Sequence, residues 1–234
     1  MRNPLKAYQL KTDKSYFLDG RLHPISSVME LDPNYYQTIE QHAAAEFSDR
    51  GSRFVGLAYP VSSIEEFKAV LNDVKKNHPK ASHHCFAYRI GADGMTYRVT
   101  DAGEPSGTAG RPILGQIDSK GLTNTCVIVV RYFGGTLLGV PGLINAYKSA
   151  ASMALQLTPL IRKSVEIPYE IHFDYTVTNE VLKALRRFNC SILRQEMQLF
   201  CMYDIGLPKI HENECKRMLE EVPGLVLKKK SDSL

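Results

Sequence analysis

Several features that mark other protein classes are missing from this sequence. It has no tryptophan, only five cysteines in 234 residues, and a formal net charge of just +4 at pH 7. No stretch approaches the run of about 20 apolar residues that a membrane-spanning helix needs. The charge is too small to identify a nucleic-acid-binding protein by itself, although a local basic patch is compatible with it.

The cysteines are few, and their spacing is uninformative for metal or disulfide chemistry. They are Cys85, Cys126, Cys190, Cys201 and Cys215. No two form a Cys-x-x-Cys pair, which argues against a disulfide framework and against a structural zinc site. The N-terminus also lacks an apolar segment of signal-peptide length. We therefore expect a cytoplasmic protein without a metal or cofactor.

A strand, a glycine-rich loop and a helix follow each other between residues 126 and 157. Cys126–Val130 is continuously apolar and β-favouring, which predicts a strand buried on both faces. Four glycines follow: Gly134, Gly135, Gly139 and Gly142. Pro141 suits the first turn of a helix, which we predict from Gly142 to Leu157. Amides at such a helix start can face an anion, but the glycine spacing fits neither a Walker loop nor a dinucleotide fingerprint, so a purely steric role stays open.

Residues 1–33 carry little readable pattern. Tyr8, Leu10, Tyr16 and Phe17 are compatible with a short hairpin, but glycine and proline interrupt the segment. Met29 is an alternative start of the protein. We therefore treat residues 1–33 as an N-terminal extension.

Residues 34–160 are expected to form an α/β domain. Its predicted strands are residues 36–40, 52–59, 85–90 and 95–99, with turns at residues 49–51 and 91–94. A helix capped by Ser62 or Ser63 carries Glu65 and Glu66 in its first turn and ends before Pro79. A short helix is predicted at residues 113–117.

Residues 161–230 have a separate pattern. Strands are predicted at residues 165–173, 190–193, 198–205 and 225–227, with one helix capped by Thr178 or Asn179 and a second around Cys215. This βαββαβ order predicts a ferredoxin-like domain, and residues 231–234 are left as a tail. The fold class is therefore α+β.

Candidate functional side chains lie in the loop 101–112 and beside the glycine loop. Arg131 ends the buried strand, where an arginine is costly unless it is paired or faces a ligand. Asp101 and Ser106, with either His84 or His83, are the residue types of a Ser-His-Asp hydrolase, but no Gly-x-Ser-x-Gly nucleophile elbow surrounds Ser106. His83 and His84 are adjacent on a strand and point to opposite faces, which argues against a shared metal ion.

Two motifs together resemble the IMPACT/YigZ family, also called UPF0029. They are the stretch from Asp101 to Leu114 and the stretch from Arg131 to Tyr147; residues 51–54 and 81–85 match further family signatures. The resemblance implies an N-terminal domain similar to the second domain of ribosomal protein S5. The C-terminal domain resembles the accessory domain DUF1949 of bacterial members. Two positions depart from the family pattern: Ala102 replaces an acidic residue and Pro141 a small one.

The resemblance implies regulation of translation, as in eukaryotic members, through RNA, the ribosome or a translation-associated protein. The expected contact surface is a cleft that includes these binding residues: His84, Asp101, Glu104, Ser106, Arg111, Arg131, Gly134, Gly135, Gly139, Gly142 and Tyr147. Arginines there would contact phosphate, and loop amides would add donors. A small hydrolase and a pure protein-interaction adaptor are the alternatives.

Overall fold

The computed structural model describes residues 32–230 and three short strands that precede them. The chain divides into two compact units, Met1–Pro33 and Asn34–Leu234. In the first, β1 (Tyr8–Gln9), β2 (Ser15–Leu18) and β3 (Arg21–Pro24) form an antiparallel sheet in that order. The hairpin compatible with Tyr8 and Phe17 is found, since these two residues are paired. Leu10 and Met29, the alternative start, lie outside the described residues.

The second unit is a mixed α/β structure with three sheets. Its elements up to residue 164 are β4 (Tyr35–Ile39), β5 (Ala43–Asp49), β6 (Ser52–Pro60), α1 (Ile64–Asn77), β7 (His83–Ile90), β8 (Thr96–Thr100), α2 (Gly110–Ser119), β9 (Thr125–Tyr132), α3 (Gly139–Gln156) and β10 (Leu160–Ser164). Those that follow are β11 (Glu166–Asp174), α4 (Thr178–Arg187), β12 (Ser191–Met197), β13 (Phe200–Pro208), α5 (Glu212–Glu220) and β14 (Val226–Lys229).

The largest sheet has five antiparallel strands in the order β5-β6-β9-β7-β8. Every residue of β9 except its last is buried. Val127 and Val129 face the helices α2 and α3, whereas Ile128 and Val130 pack with Phe67 of α1. The predicted strand buried on both faces is therefore confirmed, and it lies at the centre of the sheet.

Two strands of this region escaped the sequence analysis. β5 begins with three alanines, so it lacks the alternation of large apolar residues that signals a strand. The predicted strand near Tyr36 was found as β4, but it pairs with β10, the second unpredicted strand. β6 instead pairs with β5 across the predicted turn at residues 49–51.

The last four strands form one antiparallel sheet in the order β12-β13-β11-β14. Its helices α4 and α5 share a core with the sheet, which includes Ile171, Leu185, Tyr203, Ile205 and Leu219. The predicted caps Thr178 and Asn179 are wrong. Instead, Asp174 accepts a hydrogen bond from the Thr176 backbone, in a 3-10 turn that leads into α4.

Helices α2 and α3 both begin three residues before their predicted starts. Pro141 still lies in the first turn of α3, where the backbone amides have no intrahelical acceptor and a missing N–H costs nothing. Helix α1 agrees closely with the prediction, because Ser63 caps it by accepting a hydrogen bond from the Glu66 amide at 3.1 Å.

Candidate functional site

A buried network of charged and polar groups lies where β9 ends. Arg131 donates to Oε1 of Glu104 over 2.6 Å, and the Tyr147 hydroxyl donates to the same oxygen over 2.7 Å. The Arg131 and Glu104 side chains are only 5% and 3% exposed, and Tyr147 is completely buried. Arg131 was predicted to contact phosphate, but its guanidinium lies inside the protein and is already paired with a carboxylate.

The surroundings of Arg131 are a mixture of aromatic rings and hydroxyl groups. Its guanidinium carbon lies 5.4 Å from the ring centroids of both Phe54 and Phe133. Ser52, which is fully buried, accepts hydrogen bonds from Arg131 and from the Gly134 amide. Among the described residues, Arg131 Nε has no hydrogen-bond partner. The network thus ties the end of β9 to the first glycine of the loop.

Asp101 organises the loop that carries Glu104. One carboxylate oxygen accepts the amides of Ala109 and Gly110 at 3.0 and 2.8 Å, and the other accepts the Gly107 amide at 2.8 Å. Burial alone would raise the pKa of Asp101, but these three donors, with the charge of Arg111, lower it below its usual value. Asp101 therefore caps α2 from a position eight residues before Ala109, and its carboxylate occupies the anion site at that helix start.

The two neighbouring histidines lie in different surroundings. His83 pairs across the sheet with Arg131, and its Nε2 lies 3.7 Å from Glu104 while its Nδ1 lies 2.9 Å from the Ala102 carbonyl oxygen. His84 pairs with Val130 and is on the opposite face of β7. Burial lowers the pKa of His84, and the charge of Lys75 acts in the same direction.

The sequence predicted that His84 shares a cleft with Glu104 and Arg131, but His84 lies on the other face of β7. His83 is the histidine that joins the Glu104 network. Both histidines begin the same strand, and their sequence order did not reveal which of them shares a face with Arg131.

Ser106 and Arg111 are both exposed. The hydrogen bonds of the loop run through Asp101, Glu104 and Thr108. His83 is hydrogen-bonded to Ala102 and lies 3.7 Å from Glu104, and neither contact involves Ser106. Asp101, Ser106 and His84 are consequently not assembled as a catalytic triad. Arg111 is the second residue of α2 and is presented to solvent.

The glycine loop has one position at which steric need is clear. A Cβ added to Gly134 would lie 1.9 Å from the carbonyl carbon of Gly51, so only glycine permits this approach. Gly135 and Gly139 have φ values of +87° and +70°, the left-handed region that favours glycine. At Gly142 a Cβ would come within 2.9 Å of Leu138. The steric role left open by the sequence thus applies to Gly134.

Four apolar side chains on this loop and on the first turns of α3 are exposed. They are Phe133, Leu137, Val140 and Ile144, which are 48, 82, 52 and 38% exposed. We call these four residues the apolar loop surface. Val140 and Ile144 are one helical turn apart and share a face of α3. Sequence reasoning missed this surface, although Leu137 and Val140 lie close to Gly139 in the sequence.

The Cys85 thiol and the Tyr147 hydroxyl keep their protons because both are buried. Burial raises the pKa of the Cys85 thiol to about 12, and the thiol donates a hydrogen bond to the Asp101 carbonyl oxygen over 3.0 Å. Burial also raises the pKa of Tyr147, and the neighbouring Cys85 and Glu104 act in the same direction. Tyr147 is accordingly a hydrogen-bond donor to Glu104, and Cys85 remains a neutral thiol.

Metal and membrane sites can be addressed for the part of the chain that is described. No group of three or more His, Cys, Asp or Glu residues there could hold a metal ion. No helix there has the length and apolar character needed to cross a bilayer.

Comparison with known proteins places this site in a family. Residues 50–155 match the model of the Impact N-terminal domain. IMPACT family member YigZ of Escherichia coli K12 is 34% identical over 159 residues, which span 67% of this chain and 78% of that protein. The chain belongs to the IMPACT family. YvyE of Bacillus subtilis 168, another member, is 35% identical over 64% of this chain and 70% of its own length. Protein IMPACT of the rat is 30% identical, and the matched part covers only 39% of that protein.

One solved structure has a similar fold over most of this chain. The crystal structure of a hypothetical protein matches 86% of this chain and 99% of its own, with a TM-score of 0.67 and 28% sequence identity. A structure of the two-domain translational regulator Yih1 matches 51% of this chain with a TM-score of 0.35, a value too low to carry a structural argument.

The matched family region contains the complete buried network. Glu104, Arg131 and Tyr147 all lie within residues 50–155, as does the apolar loop surface. Ala102 is exposed and has a φ of +46° in the turn before Gly103. The part of the chain that matches the family therefore contains both the buried network and the apolar loop surface.

Proposed function

We propose that this protein regulates translation by binding a protein component of the translation machinery through the apolar loop surface. Membership of the IMPACT family supports the biological role, because the resemblance implies translational regulation in eukaryotic members. The occupant is a ribosomal protein or a translation factor with a complementary apolar patch. Binding, not turnover, is the activity that the geometry favours.

The exposure of Leu137 is the observation that carries this proposal. A leucine that is 82% exposed, with Phe133 and Val140 nearby in the chain, forms the kind of clustered apolar surface that marks an interaction site. Protein-protein interfaces place aromatic and aliphatic anchors at their centre.

The buried network supports the same proposal, because it holds the loop in place before a partner binds. The Gly134 amide donates to Ser52 over 3.2 Å, and Ser52 is also bonded to Arg131. A loop anchored in this way loses little conformational entropy on binding.

RNA is the second candidate ligand, and Arg111 is the residue that favours it. It is exposed at the start of α2, where an arginine can reach a phosphate. However, Arg131 is buried and paired with Glu104, so the expected row of arginines in one cleft is reduced to a single exposed member. Arg53, a further cation near this edge, is paired with Glu46 at 3.4 Å. A protein surface therefore fits the loop better than a phosphate backbone does.

Co-sedimentation with purified ribosomes tests the proposed function. We expect the wild-type protein to pellet with ribosomes, Leu137→Asp to remain in the supernatant, and the control Met95→Asp to behave as wild type. Met95 is 75% exposed but lies between β7 and β8, at the end of β7 remote from Arg131. If Leu137→Asp pellets as well as wild type, the apolar loop surface is not the contact.

In the same assay, the salt dependence of binding and the variant Arg111→Ala distinguish a protein ligand from RNA. Binding through the apolar loop surface should change little between low and moderate salt, whereas phosphate contacts weaken steeply. RNA would be the ligand instead if Arg111→Ala no longer pelleted with ribosomes, if Leu137→Asp still did, and if pelleting of the wild-type protein fell steeply with salt. A hydrolase screen with Ser106→Ala as control tests the remaining alternative, which predicts turnover that this variant lacks.

We also propose the finer fold assignments. The order β12-β13-β11-β14, with α4 and α5 on one face, supports a ferredoxin-like domain for residues 161–230. The resemblance supports a ribosomal-protein-S5-domain-2-like fold for residues 34–160. Because β10 (Leu160–Ser164) pairs with β4, limited proteolysis should release the two parts by cleavage after Ser164, whereas cleavage at residue 160 that leaves both fragments intact would support the boundary predicted from the sequence.

A further inference from the structure

Strand β12 is an exposed edge of the four-stranded sheet. It lies at the end of the order β12-β13-β11-β14, and its outer side faces no other strand among the described residues. Six of its seven residues are exposed. The exposed apolar residues of this strand, of the following turn and of the start of β13 are Ile192 (41%), Leu193 (64%), Met197 (60%), Leu199 (66%) and Phe200 (71%). Such an edge offers unpaired backbone groups to another strand, beside apolar side chains.

The sequence of β12 is self-complementary about its residue Gln195. Antiparallel pairing with a second copy, with Gln195 opposite Gln195, puts Arg194 of each copy opposite Glu196 of the other. The same register puts Leu193 opposite Met197. Residues directly opposite in an antiparallel pair lie on the same face of the sheet, so opposite charges attract there and apolar side chains pack together.

Within one copy, these charges have only a weak partner. Arg194 and Glu196 contact each other along the strand, and their side chains are 61% and 47% exposed. An exposed ion pair of this kind contributes little to stability. Both residues are therefore available to a second strand, and the pair of copies would gain two cross-strand ion pairs in total.

We propose that two copies of this chain associate through β12, which joins their four-stranded sheets into one continuous antiparallel sheet. The dimer has two-fold symmetry, since the Arg194–Glu196 contact occurs once on each side of Gln195. The pairing of β12 with β13 is irregular between Ile192 and Arg194, so Arg194, Gln195 and Glu196, which carry the symmetric contacts, lie in the regular part of the strand, whereas Leu193 lies at the irregularity. This association is independent of the apolar loop surface.

Charge reversal tests the proposed register. Sedimentation equilibrium of the wild-type protein should give the mass of two chains at high concentration. Arg194→Glu and Glu196→Arg should each give the mass of one chain, because each creates two like-charge pairs. An equimolar mixture of the two variants should recover the two-chain mass, since every pair across that interface then joins opposite charges.

Melting by circular dichroism shows whether the variants remain folded, which matters because Arg194 also lies opposite Asp204 on β13. A wild-type mass of one chain at every concentration would overturn the proposal. So would a two-chain mass that both single variants retain, because the interface would then lie elsewhere.

A disulfide cross-link tests the same register by position. Gln195→Cys places one thiol opposite its copy at the two-fold axis, so mild oxidation with oxidised glutathione should give a covalent two-chain species. Gln198→Cys, which faces residue 192 of the other copy, should remain a single chain. Each bond forms when one thiolate attacks glutathione disulfide, and the second thiolate then displaces the bound glutathione as a thiolate. Equal cross-linking of the two variants would contradict the register.

Discussion

The two largest sheets of this protein differ in how far their ion pairs are exposed to solvent. In the five-stranded sheet, Arg131 and Glu104 are almost fully buried and form one compact network with Tyr147. In the four-stranded sheet, Lys230 lies 2.7 Å from Asp204 and 3.9 Å from Glu170, with the lysine side chain 40% exposed. The Arg131–Glu104 and Lys230–Asp204 distances are similar, but the first pair is shielded from water and the second is open to it.

This difference predicts where a substitution matters. A buried pair that loses one member leaves an uncompensated charge without water, which is strongly destabilising. An exposed pair exchanges its partner for water at little cost. In the five-stranded sheet, the buried ion pair should therefore hold the glycine loop in place. The open face of the four-stranded sheet should tolerate changes of charge.

The largest effect is expected for Glu104→Gln. The substitution keeps the size of the side chain but leaves Arg131 with no carboxylate inside the protein. We expect the free energy of unfolding to fall by about 3 kcal/mol or more. Urea denaturation followed by tyrosine fluorescence measures this, since the chain has no tryptophan.

The double variant Glu104→Gln/Arg131→Met is the control for this prediction. It removes both charges and should be more stable than Glu104→Gln alone. Equal stability of the single variant and wild type would mean that the buried pair does not hold the loop.

A smaller loss is expected for Asp101→Asn. The variant replaces a charged acceptor of three amides with a neutral one, which should cost about 2 kcal/mol. Because the pKa of Asp101 is lowered in the folded protein, its contribution is complete above the unfolded pKa of about 4 and is lost as pH falls through the folded value. Stability measured from pH 7 downwards should therefore show wild type and variant converging in acid. A constant difference across this range would contradict the role of the carboxylate.

Tyr147→Phe should have a more modest effect. It removes only the hydroxyl that donates to Glu104, while Arg131 still neutralises the carboxylate. We expect a loss of about 1 kcal/mol in the unfolding free energy. A loss as large as that of Glu104→Gln would indicate that the tyrosine, not the arginine, is the principal partner of the carboxylate.

The smallest effect is expected for Glu170→Gln in the open sheet face. Glu170 contacts His172 at 2.9 Å and Lys230 at 3.9 Å, both of which remain accessible to solvent. The free energy of unfolding of the Glu170→Gln variant should equal that of the wild-type protein within experimental error. This variant is the surface counterpart of Glu104→Gln, and similar losses in the two would remove the distinction between the sheets.

Local patterns in the sequence predicted most elements, because the relevant signals lie close together in the chain. The Ser63 cap is three residues from its donor, and the apolar run of β9 is continuous. The misplaced start of α2 had a different cause. Its cap, Asp101, lies nine residues before Gly110, so no local rule connects them.

The site was predicted incompletely for a similar reason. Glu104, Arg131 and Tyr147 were all named, but their pairing joins residues 27 and 43 positions apart. The sequence could not reveal that Glu104 neutralises Arg131 and thereby removes it from solvent. Nor could it establish that His83, and not His84, shares a face with Arg131, because that depends on the register between β7 and β9.

The most direct test of the central claim is a photo-activated cross-linker placed at position 137. With purified ribosomes, the cross-linker at position 137 should attach to a ribosomal protein or to a translation factor that is added. The same group at position 95 should give no product. Attachment of the residue 137 probe to ribosomal RNA alone, or equal yields from positions 137 and 95, would contradict a protein contact at the apolar loop surface.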